Sequence, residues 1–419
     1  MKLISTRDRS AKARIATLTT RRSPAYERVL PTARRIVESV RKGGDTALLR
    51  YTTKFDGFKP QSQLRISENE IQAAWETISP ALRAALKTAA KNIRRFAERQ
   101  RPKEWSFSPV SGLTVGQQIR PISAVGCYVP SGRYPLPSTL LMTAIPAQVA
   151  GVERIAVVSP RPAQETLAAA AMLGITEVYR IGGAQAIAAL AYGTKSIPRV
   201  DKIVGPGNAF VTAAKKLVAF DCAIDMLAGP TEIVVASETG NPAEIASDLI
   251  AQAEHDPDAL AVFVTSKSAL AKAVAAETKK RAQNNKIAAE ALSKNGFVIV
   301  TVTKEETHAI VNAIAPEHLT VDAEADLNWV QNAGSVFIGR LSAQPLGDYV
   351  SGPNHTLPTS GLARVRGGLS VMDFVKIITV QEYQQKGLHK LGPAAITLAE
   401  AEGLQGHAEA IRVRGVKNS

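Results

Sequence analysis

The chain has 419 residues, of which 45% are hydrophobic and 21% are charged, and its formal net charge is +14. It is longer than one typical domain and has the composition of a globular protein with sizeable cores. It has no apolar run of membrane-spanning length, no apolar secretory signal and too few cysteines for a disulfide framework. We therefore expect a cytoplasmic protein of two or three domains with no membrane partner.

The excess positive charge lies in the N-terminal part of the chain. Residues 1–110 hold 24 Lys and Arg against 10 Asp and Glu, whereas the remainder holds 27 of each. A nucleic-acid or other anionic partner is one explanation. A solvated helical surface is the other, and we favour it because no recognition motif or aromatic platform accompanies the charge.

The N-terminal part is predicted to be helical over 24–101, before the pattern changes. Helix punctuation supports this prediction, because capping residues and glycines mark the ends of helices. The signals are a helix start at Ser23-Pro24, a helix end at Gly43-Gly44, and a capping box of Ser67 and Glu70 that opens one long helical stretch.

Short apolar strands then alternate with helices. A strand at 114–121 leads into a Gly- and Pro-rich loop, and strand–helix pairs follow in two successive sets. Units of this length predict parallel sheets with right-handed crossovers, and two sets suggest two doubly wound domains with a cleft between them. From residue 372 the pattern is predicted to be helical again, including 373–387. This tail is too short to form its own core and must pack on a domain or a partner subunit.

Two polar residues share one face of the predicted helix in ASDLIAQAEHDPD, residues 246–258. Gln252 and His255 are three positions apart, which places them one helical turn apart. An amide oxygen and an imidazole nitrogen could hold zinc if two more ligands come from elsewhere. A solvated helix end is the alternative that this stretch alone leaves open.

The sequence IAPEHLT contains the adjacent pair Glu317 and His318. A carboxylate beside an imidazole can activate water and shuttle a proton. The alternative is ordinary punctuation at a helix start, where proline and then glutamate are common. Asp348 and His355 lie in a Gly/Pro/Ser-rich segment that predicts a loop, which could be either a site wall or ordinary surface.

No G-x-G-x-x-G dinucleotide fingerprint is present. GPGNA at 205–209 and GGAQA at 182–186 each stand between a predicted strand and a predicted helix. Backbone amides at such a turn could bind a phosphate of a dinucleotide. Each signal is weak by itself, because glycine turns join strands to helices in many folds.

A set of longer motifs in one order resembles the histidinol dehydrogenase family over about residues 24–414. The motifs are YVPSGRYPLPST, RIGGAQAIAALAYGT, VGPGNAFVTAAKK, DMLAGPTE, ASDLIAQAEHDPDA, IAPEHL, GSVFIG, GDYVSGPNHTLPTSG and EGLQGHAEA. The resemblance implies two incomplete Rossmann-like domains with a helical N-terminal part and a small helical C-terminal tail, assembled as an intertwined homodimer. The expected boundaries are 1–112 with 234–371 for the first domain, 113–233 for the second, and 372–419 for the tail.

The same resemblance implies zinc and NAD as cofactors and L-histidinol as substrate. The zinc ligands would be Gln252, His255, Asp348 and His407. The catalytic pair would be Glu317 and His318, and the NAD-binding residues Tyr128, Gln185 and Asn208. Substrate contacts would come from Thr231, His355 and Glu402, and also from the zinc ligands and His318. The partner subunit would supply Glu402 and His407.

The implied reaction is two successive oxidations, from histidinol through bound histidinaldehyde to histidine. Two departures from the family pattern affect this expectation. Thr231 stands where serine is usual, so the fit of the substrate is open, and Ser131 stands where glycine is usual, beside the expected NAD loop. A related zinc and NAD dehydrogenase of another small alcohol, such as a sulfonated propanediol, is the alternative function, and nucleic-acid binding by the basic N-terminal third is a remote one.

Overall fold

The computed structural model describes residues 1–20, 25–57, 63–131 and 134–416. The helix start predicted at Ser23-Pro24 lies outside the described residues. The chain divides into two compact units: a larger one of Met1–Gln100 and Ser123–Asp373, and a smaller one of Arg101–Ile122 and Phe374–Ser419. In the described part of the chain, every helix is too short or too polar to cross a membrane.

Strands β1 to β14 follow in chain order. They are Lys2–Ser5, Trp105–Val110, Leu113–Pro121, Ala124–Tyr128, Arg154–Val158, Val178–Tyr179, Lys202–Val204, Ala223–Ile224, Glu232–Ala236, Leu260–Thr265, Gly296–Val300, His318–Val321, Ser335–Ile338 and Val375–Tyr383.

Helices α1 to α15 are numbered in the same way. They are Arg9–Thr19, Ala25–Asp56, Glu68–Thr77, Pro80–Arg99, Pro137–Ala150, Gln164–Met172, Gly183–Tyr192, Ala209–Val218, Pro242–Ala253, Ser268–Arg281, Lys286–Asn295, Lys304–Ile314, Gln344–Tyr349, Gln385–Ala401 and Gln405–Arg412.

The larger unit contains two parallel sheets. Among the described residues, six strands form one sheet in the order β1-β11-β10-β9-β12-β13, and five form the other in the order β6-β5-β4-β7-β8. The central strands β4, β9 and β10 are buried along their whole length. Parallel strands covered on both faces are continuous apolar runs, which explains why the sequence pattern predicted them. The predicted α/β class with parallel sheets is confirmed.

The N-terminal helices pack on the helices that flank the five-stranded sheet. Helix α2 packs on α7 and α8, α3 on α6, and α4 on α5. Ile36, Val40 and Leu48 of α2 share one hydrophobic core with Ile187 and Leu190 of α7. The basic residues of this part therefore lie on helices that are packed into the larger unit. The domain boundaries given above remain a prediction.

Two details of the helical part differ from expectation. Gly44 adopts a positive φ of 49° and interrupts α2, as its predicted role as a helix end requires, but the helix resumes immediately afterwards. Ser67 accepts a hydrogen bond from the Glu70 backbone N–H at 3.2 Å and starts α3, as predicted. The predicted single long stretch is two helices, because Ser79 caps a second start followed by Pro80 at the first turn.

The smaller unit has an antiparallel sheet in the order β14-β3-β2, with helices α14 and α15 after it. The prediction of helix over 373–387 was wrong for 375–383, which form β14. Its VKIITV run is rich in β-branched residues, and it pairs residue by residue with β3 from Val375 opposite Pro121 to Tyr383 opposite Leu113. The helical tail itself is present, with a small cluster of buried side chains at Ile396, Ala399, Ala408 and Val416.

Candidate active site

A cavity of about 780 Å³ lies in the larger unit, between the ends of its two parallel sheets. The five-stranded sheet presents its carboxyl ends there, through Tyr128 at the end of β4 and Gly205 just after β7. The six-stranded sheet presents its amino ends, through Thr231 just before β9 and His318 at the start of β12. The volume is typical of a small-molecule or cofactor site.

Glu317 and His318 are buried side by side at the start of β12. The parallel pairing of β12 with β9 places His318 opposite Ile233, so the pair faces the residues that begin β9. Glu317 Oε2 accepts hydrogen bonds from Thr231 Oγ1 at 2.6 Å and from the Glu232 backbone N–H at 2.8 Å. The pair therefore starts a strand, and the alternative of helix punctuation at this position was wrong.

The His318 ring lies between two carboxylates. Its Nδ1 is 3.1 Å from the Glu232 carbonyl oxygen and 3.6 Å from Glu317 Oε2, while its Nε2 is 3.6 Å from Asp348 Oδ1. Burial alone would lower the pKa of His318, but the charges and hydrogen bonds of Glu317 and Asp348 outweigh it and raise the pKa to about 10. The imidazolium form is thus favoured in the protein without a bound cation.

Asp348 lies on the short helix α13, whereas the sequence predicted a loop for it. Its Oδ2 accepts a hydrogen bond from Gln344 Nε2 at 2.8 Å, and its carbonyl oxygen is 2.8 Å from His355 Nδ1. Burial alone would raise the pKa of Asp348, but the contact with His318 lowers it overall. Burial lowers the pKa of His355, which favours the neutral ring.

Gln252 and His255 both line the cavity, but they are not on one helical face. Helix α9 ends at Ala253, and His255 lies in the bend after the C-cap residue Glu254, so the predicted i, i+3 arrangement on a helix was wrong. Gln252 Nε2 donates a hydrogen bond to Thr231 Oγ1. Gln252 Oε1 is buried and has no hydrogen-bond partner among the described residues, which is unusual for a buried carbonyl oxygen.

These residues suit a divalent cation. An amide oxygen, an imidazole and a carboxylate, supplied by Gln252, His255 and Asp348, meet in one cavity, and such nitrogen and oxygen donors bind zinc. Within the described ranges, no three His, Cys, Asp or Glu residues form a group that could hold a metal ion. The amide of Gln252 is outside that residue class, and the fourth predicted ligand, His407, lies on α15 in the smaller unit together with Glu402 at the end of α14.

The predicted NAD residues line the cavity beside the five-stranded sheet. The Tyr128 hydroxyl accepts a hydrogen bond from the Gly183 backbone N–H at 3.1 Å, and burial raises the pKa of Tyr128 to about 12. Gln185 Nε2 donates to Asp56 Oδ2 at 3.1 Å. Asn208 caps α8, where its Oδ1 accepts hydrogen bonds from two backbone N–H groups. The turn at residues 205–207 precedes this helix start, which is a favourable place for an anion.

Sequence reasoning missed three charged residues near this end of the cavity: the half-buried Asp56 and the buried pair of Lys215 and Asp225. Asp56 accepts hydrogen bonds from Gln185 and from the Gly182 backbone, and no local signal marked it. Lys215 Nζ is 2.7 Å from Asp225 Oδ1 and 2.6 Å from the Gly205 carbonyl oxygen. Apolar residues lie one helical turn before and one helical turn after Lys215, and this spacing could have predicted that the lysine is buried.

The two departures from the family pattern also lie on the cavity wall. Ser131 Oγ accepts a hydrogen bond from the Arg161 backbone N–H at 2.9 Å, so the serine ties together two segments of the wall. Thr231 stands between Gln252 and Glu317 and bonds to both.

The histidinol dehydrogenase family model matches residues 19–415. The chain belongs to the histidinol dehydrogenase family. It is 46% identical to the histidinol dehydrogenase of Methanothermobacter thermautotrophicus, over 96% of this chain and 97% of that one. It is 44% identical to the histidinol dehydrogenase of Gluconobacter oxydans over the full length of both. The family resemblance inferred from the motifs is therefore confirmed.

A solved structure agrees with this membership. The crystal structure of histidinol dehydrogenase from Elizabethkingia anophelis matches with a TM-score of 0.93 and 36% identity, covering 99% of this chain and 98% of that one. The fold is thus shared with a member of the family along nearly the whole chain.

We predict that His318 stabilises the metal-free protein less as pH rises. Its pKa is about 10 in the folded protein against an ordinary 6.5, so the stabilisation is complete below pH 6.5 and is lost towards pH 10. Urea unfolding of metal-free wild type and His318→Gln should show a difference in unfolding free energy that shrinks across this interval. A difference independent of pH, or the same trend for His308→Gln, would contradict the prediction.

Proposed function

We propose that the protein is a zinc- and NAD-dependent dehydrogenase that oxidises L-histidinol to L-histidine through L-histidinaldehyde. The main support for this proposal is that one cavity combines the buried Glu317–His318 pair with Gln252, His255 and Asp348. Family membership supports the same activity. Tyr128, Gln185 and Asn208, the proposed NAD-binding residues, line the same cavity.

Zinc would be held by Gln252, His255, Asp348 and, from the partner subunit, the residue equivalent to His407. When bound, it would bind nitrogen atoms of histidinol, orient the substrate and offset the charge of Asp348. Gln252 Oε1 supports this assignment, since it is a buried acceptor without a hydrogen-bond partner among the described residues. Glu402 of the partner and His355 would contact the substrate, as would Thr231.

His318 is the proposed base for both oxidations. The Glu232 carbonyl oxygen can only accept, so it assigns the Nδ1–H tautomer to the neutral ring and leaves Nε2 as the basic atom. Nε2 faces Asp348. It would be able to take a proton if the Asp348 carboxylate bound zinc instead of pairing with the protonated ring. In the first oxidation, Nε2 accepts the hydroxyl proton as hydride leaves the carbinol carbon for NAD.

Glu317 is the proposed base for the hydration of the aldehyde. It would take a proton from water as the water oxygen bonds to the aldehyde carbon, while the protonated His318 would return its proton to the carbonyl oxygen, giving a hydrate and a neutral His318. In the second oxidation a hydride would pass from the hydrate to a second NAD while His318 Nε2 takes a hydroxyl proton, and a carboxylic acid would result. Both bases are buried, so their proton transfers would be separated from bulk solvent.

A second candidate substrate follows from Thr231. Its side chain lines the cavity and carries a methyl group that serine lacks, so another small alcohol, such as a sulfonated propanediol, is the alternative substrate. A nucleic-acid partner is not proposed, because the basic N-terminal helices are packed as a layer of the larger unit.

With zinc present, we expect L-histidinol to reduce NAD with a yield of about two NADH per histidinol, because one active site would perform both oxidations. NADH absorbance at limiting histidinol measures the yield, and a chelator-treated sample is the control. Turnover of a sulfonated or other small alcohol without turnover of histidinol would favour the alternative substrate. A yield near one with free aldehyde would contradict the two-step proposal.

We expect His255→Ala to lose bound zinc and activity while remaining folded, because the imidazole would be a direct ligand. Metal analysis of the purified protein would measure this against roughly one zinc per chain in wild type. His308→Ala is the matched control, since His308 stacks on Trp329 at a centroid distance of 4.2 Å and does not line the cavity. Full zinc content in His255→Ala would exclude His255 as a ligand.

We expect two inactive variants to complement each other if the partner subunit completes the site. In a mixed dimer of His255→Ala and His407→Ala, one site carries both substitutions and the other carries neither, so it should have about half the activity of wild type. Co-expression with two different tags and activity measurement on the doubly purified dimer tests this. Inactive mixed dimers would indicate a site built within one chain.

A further inference from the structure

We propose that Thr231 is a positioning residue that fixes the orientation of the Gln252 amide and so presents the amide oxygen to a divalent cation. This inference rests on the proposed function, because it concerns the zinc proposed for the cavity. It assigns to Thr231 a role distinct from contact with the substrate.

The first step concerns the single hydroxyl hydrogen of Thr231. Thr231 Oγ1 is 2.6 Å from Glu317 Oε2, and the same carboxylate oxygen accepts the Glu232 backbone N–H at 2.8 Å. An ionised carboxylate can only accept hydrogen bonds. The Thr231 hydrogen therefore points at Glu317.

The second step concerns the amide of Gln252. Because the hydrogen of Thr231 is committed to Glu317, Thr231 Oγ1 can only accept from its other close neighbour, and that neighbour must be the amide nitrogen of Gln252. The reverse orientation would place two acceptor oxygens against each other. Glu317 accepts the hydrogen of Thr231, Thr231 accepts a hydrogen of the Gln252 amide nitrogen, and Gln252 Oε1 is therefore turned away from Thr231.

The third step concerns the oxygen that remains. Gln252 is 2% exposed, and its Oε1 has no hydrogen-bond partner among the described residues. A buried acceptor left in this way costs free energy, which a bound cation would recover. An amide nitrogen in its place could not ligate a cation, so the orientation that Thr231 imposes decides whether Gln252 is a ligand.

Threonine suits this task for a further reason. Its branched side chain is restricted about χ1, so the hydroxyl is held in one place with little rotational freedom. Serine would keep the hydroxyl but rotate more freely. The methyl group that distinguishes Thr231 from the usual serine therefore contributes rigidity to the Glu317–Thr231–Gln252 chain.

The test measures zinc affinity by competition with a chelator, independently of catalysis. Thr231→Val has nearly the same shape but lacks the hydroxyl, and it should bind zinc about 10- to 100-fold more weakly, as expected for the loss of a residue that orients a ligand. Thr231→Ser should stay within about threefold of wild type. Activity of Thr231→Val should recover at zinc concentrations raised by the same factor, which a change in substrate contact alone would not produce.

The matched control is Thr320→Val on β12, because the buried Thr320 hydroxyl has no hydrogen-bond partner in the part of the chain that the structure describes and Thr320 does not line the cavity. It should bind zinc as wild type does. Thr231→Ala serves as the second hydroxyl-free variant if the valine variant does not fold.

Three results would overturn the inference. Wild-type zinc affinity in a folded Thr231→Val or Thr231→Ala variant would show that the hydroxyl does not orient the ligand. Equal weakening in Thr231→Ser and Thr231→Val would contradict a hydroxyl-specific role. Absence of zinc binding by wild type would refute the metal part of the proposed function itself, and the inference with it.

Discussion

The parallel pairing of β9 with β12 is the constraint on which the candidate site depends. It sets the main chain of Glu232 between the two members of the proposed catalytic pair. The Glu232 N–H donates to Glu317, and the Glu232 carbonyl oxygen lies beside His318 Nδ1. Both contacts use backbone atoms whose positions the sheet fixes, so the two side chains are oriented by the same hydrogen-bond ladder that holds the core together.

The two sheets contribute opposite ends to one cavity. The carboxyl ends of the five-stranded sheet supply glycine turns and a helix start, which are features of open α/β sheets that bind nucleotides. The amino ends of the six-stranded sheet supply buried polar side chains instead. Burying such groups is costly unless they are hydrogen-bonded, and Thr231, Glu317 and His318 each have close polar partners. The cavity thus joins a surface suited to a cofactor to one suited to acid–base chemistry.

The sequence predicted what depends on local patterns. Apolar runs bounded by glycine turns identified the parallel strands, and family motifs identified the residues that converge on the cavity. Strand β14 was mistaken for helix because its stability comes from β3, more than 250 positions earlier in the chain. The end of α9 was misplaced because the helix ends at Ala253 and its C-cap residue Glu254 is not a glycine, so His255 was wrongly assigned to the helix. Asp56 bonds to Gln185 only through tertiary structure, so no spacing could reveal it. Gln344 bonds to Asp348 four positions later on α13, and this helical pair was missed because a loop was predicted there.

The basic N-terminal part contributes to the same sheet and to the surroundings of the same cavity. Its first strand, β1, pairs with β11 at the edge of the six-stranded sheet, and Asn92 of α4 donates a hydrogen bond to the Val350 carbonyl oxygen, beside Tyr349 and Asp348. Mutation can alter the charge on the outward faces of these helices freely, yet cannot delete the helices without dismantling a cavity wall. Net charge and architecture are therefore set by different residues of these helices, and a chain with the opposite charge on their outward faces could retain the same cavity.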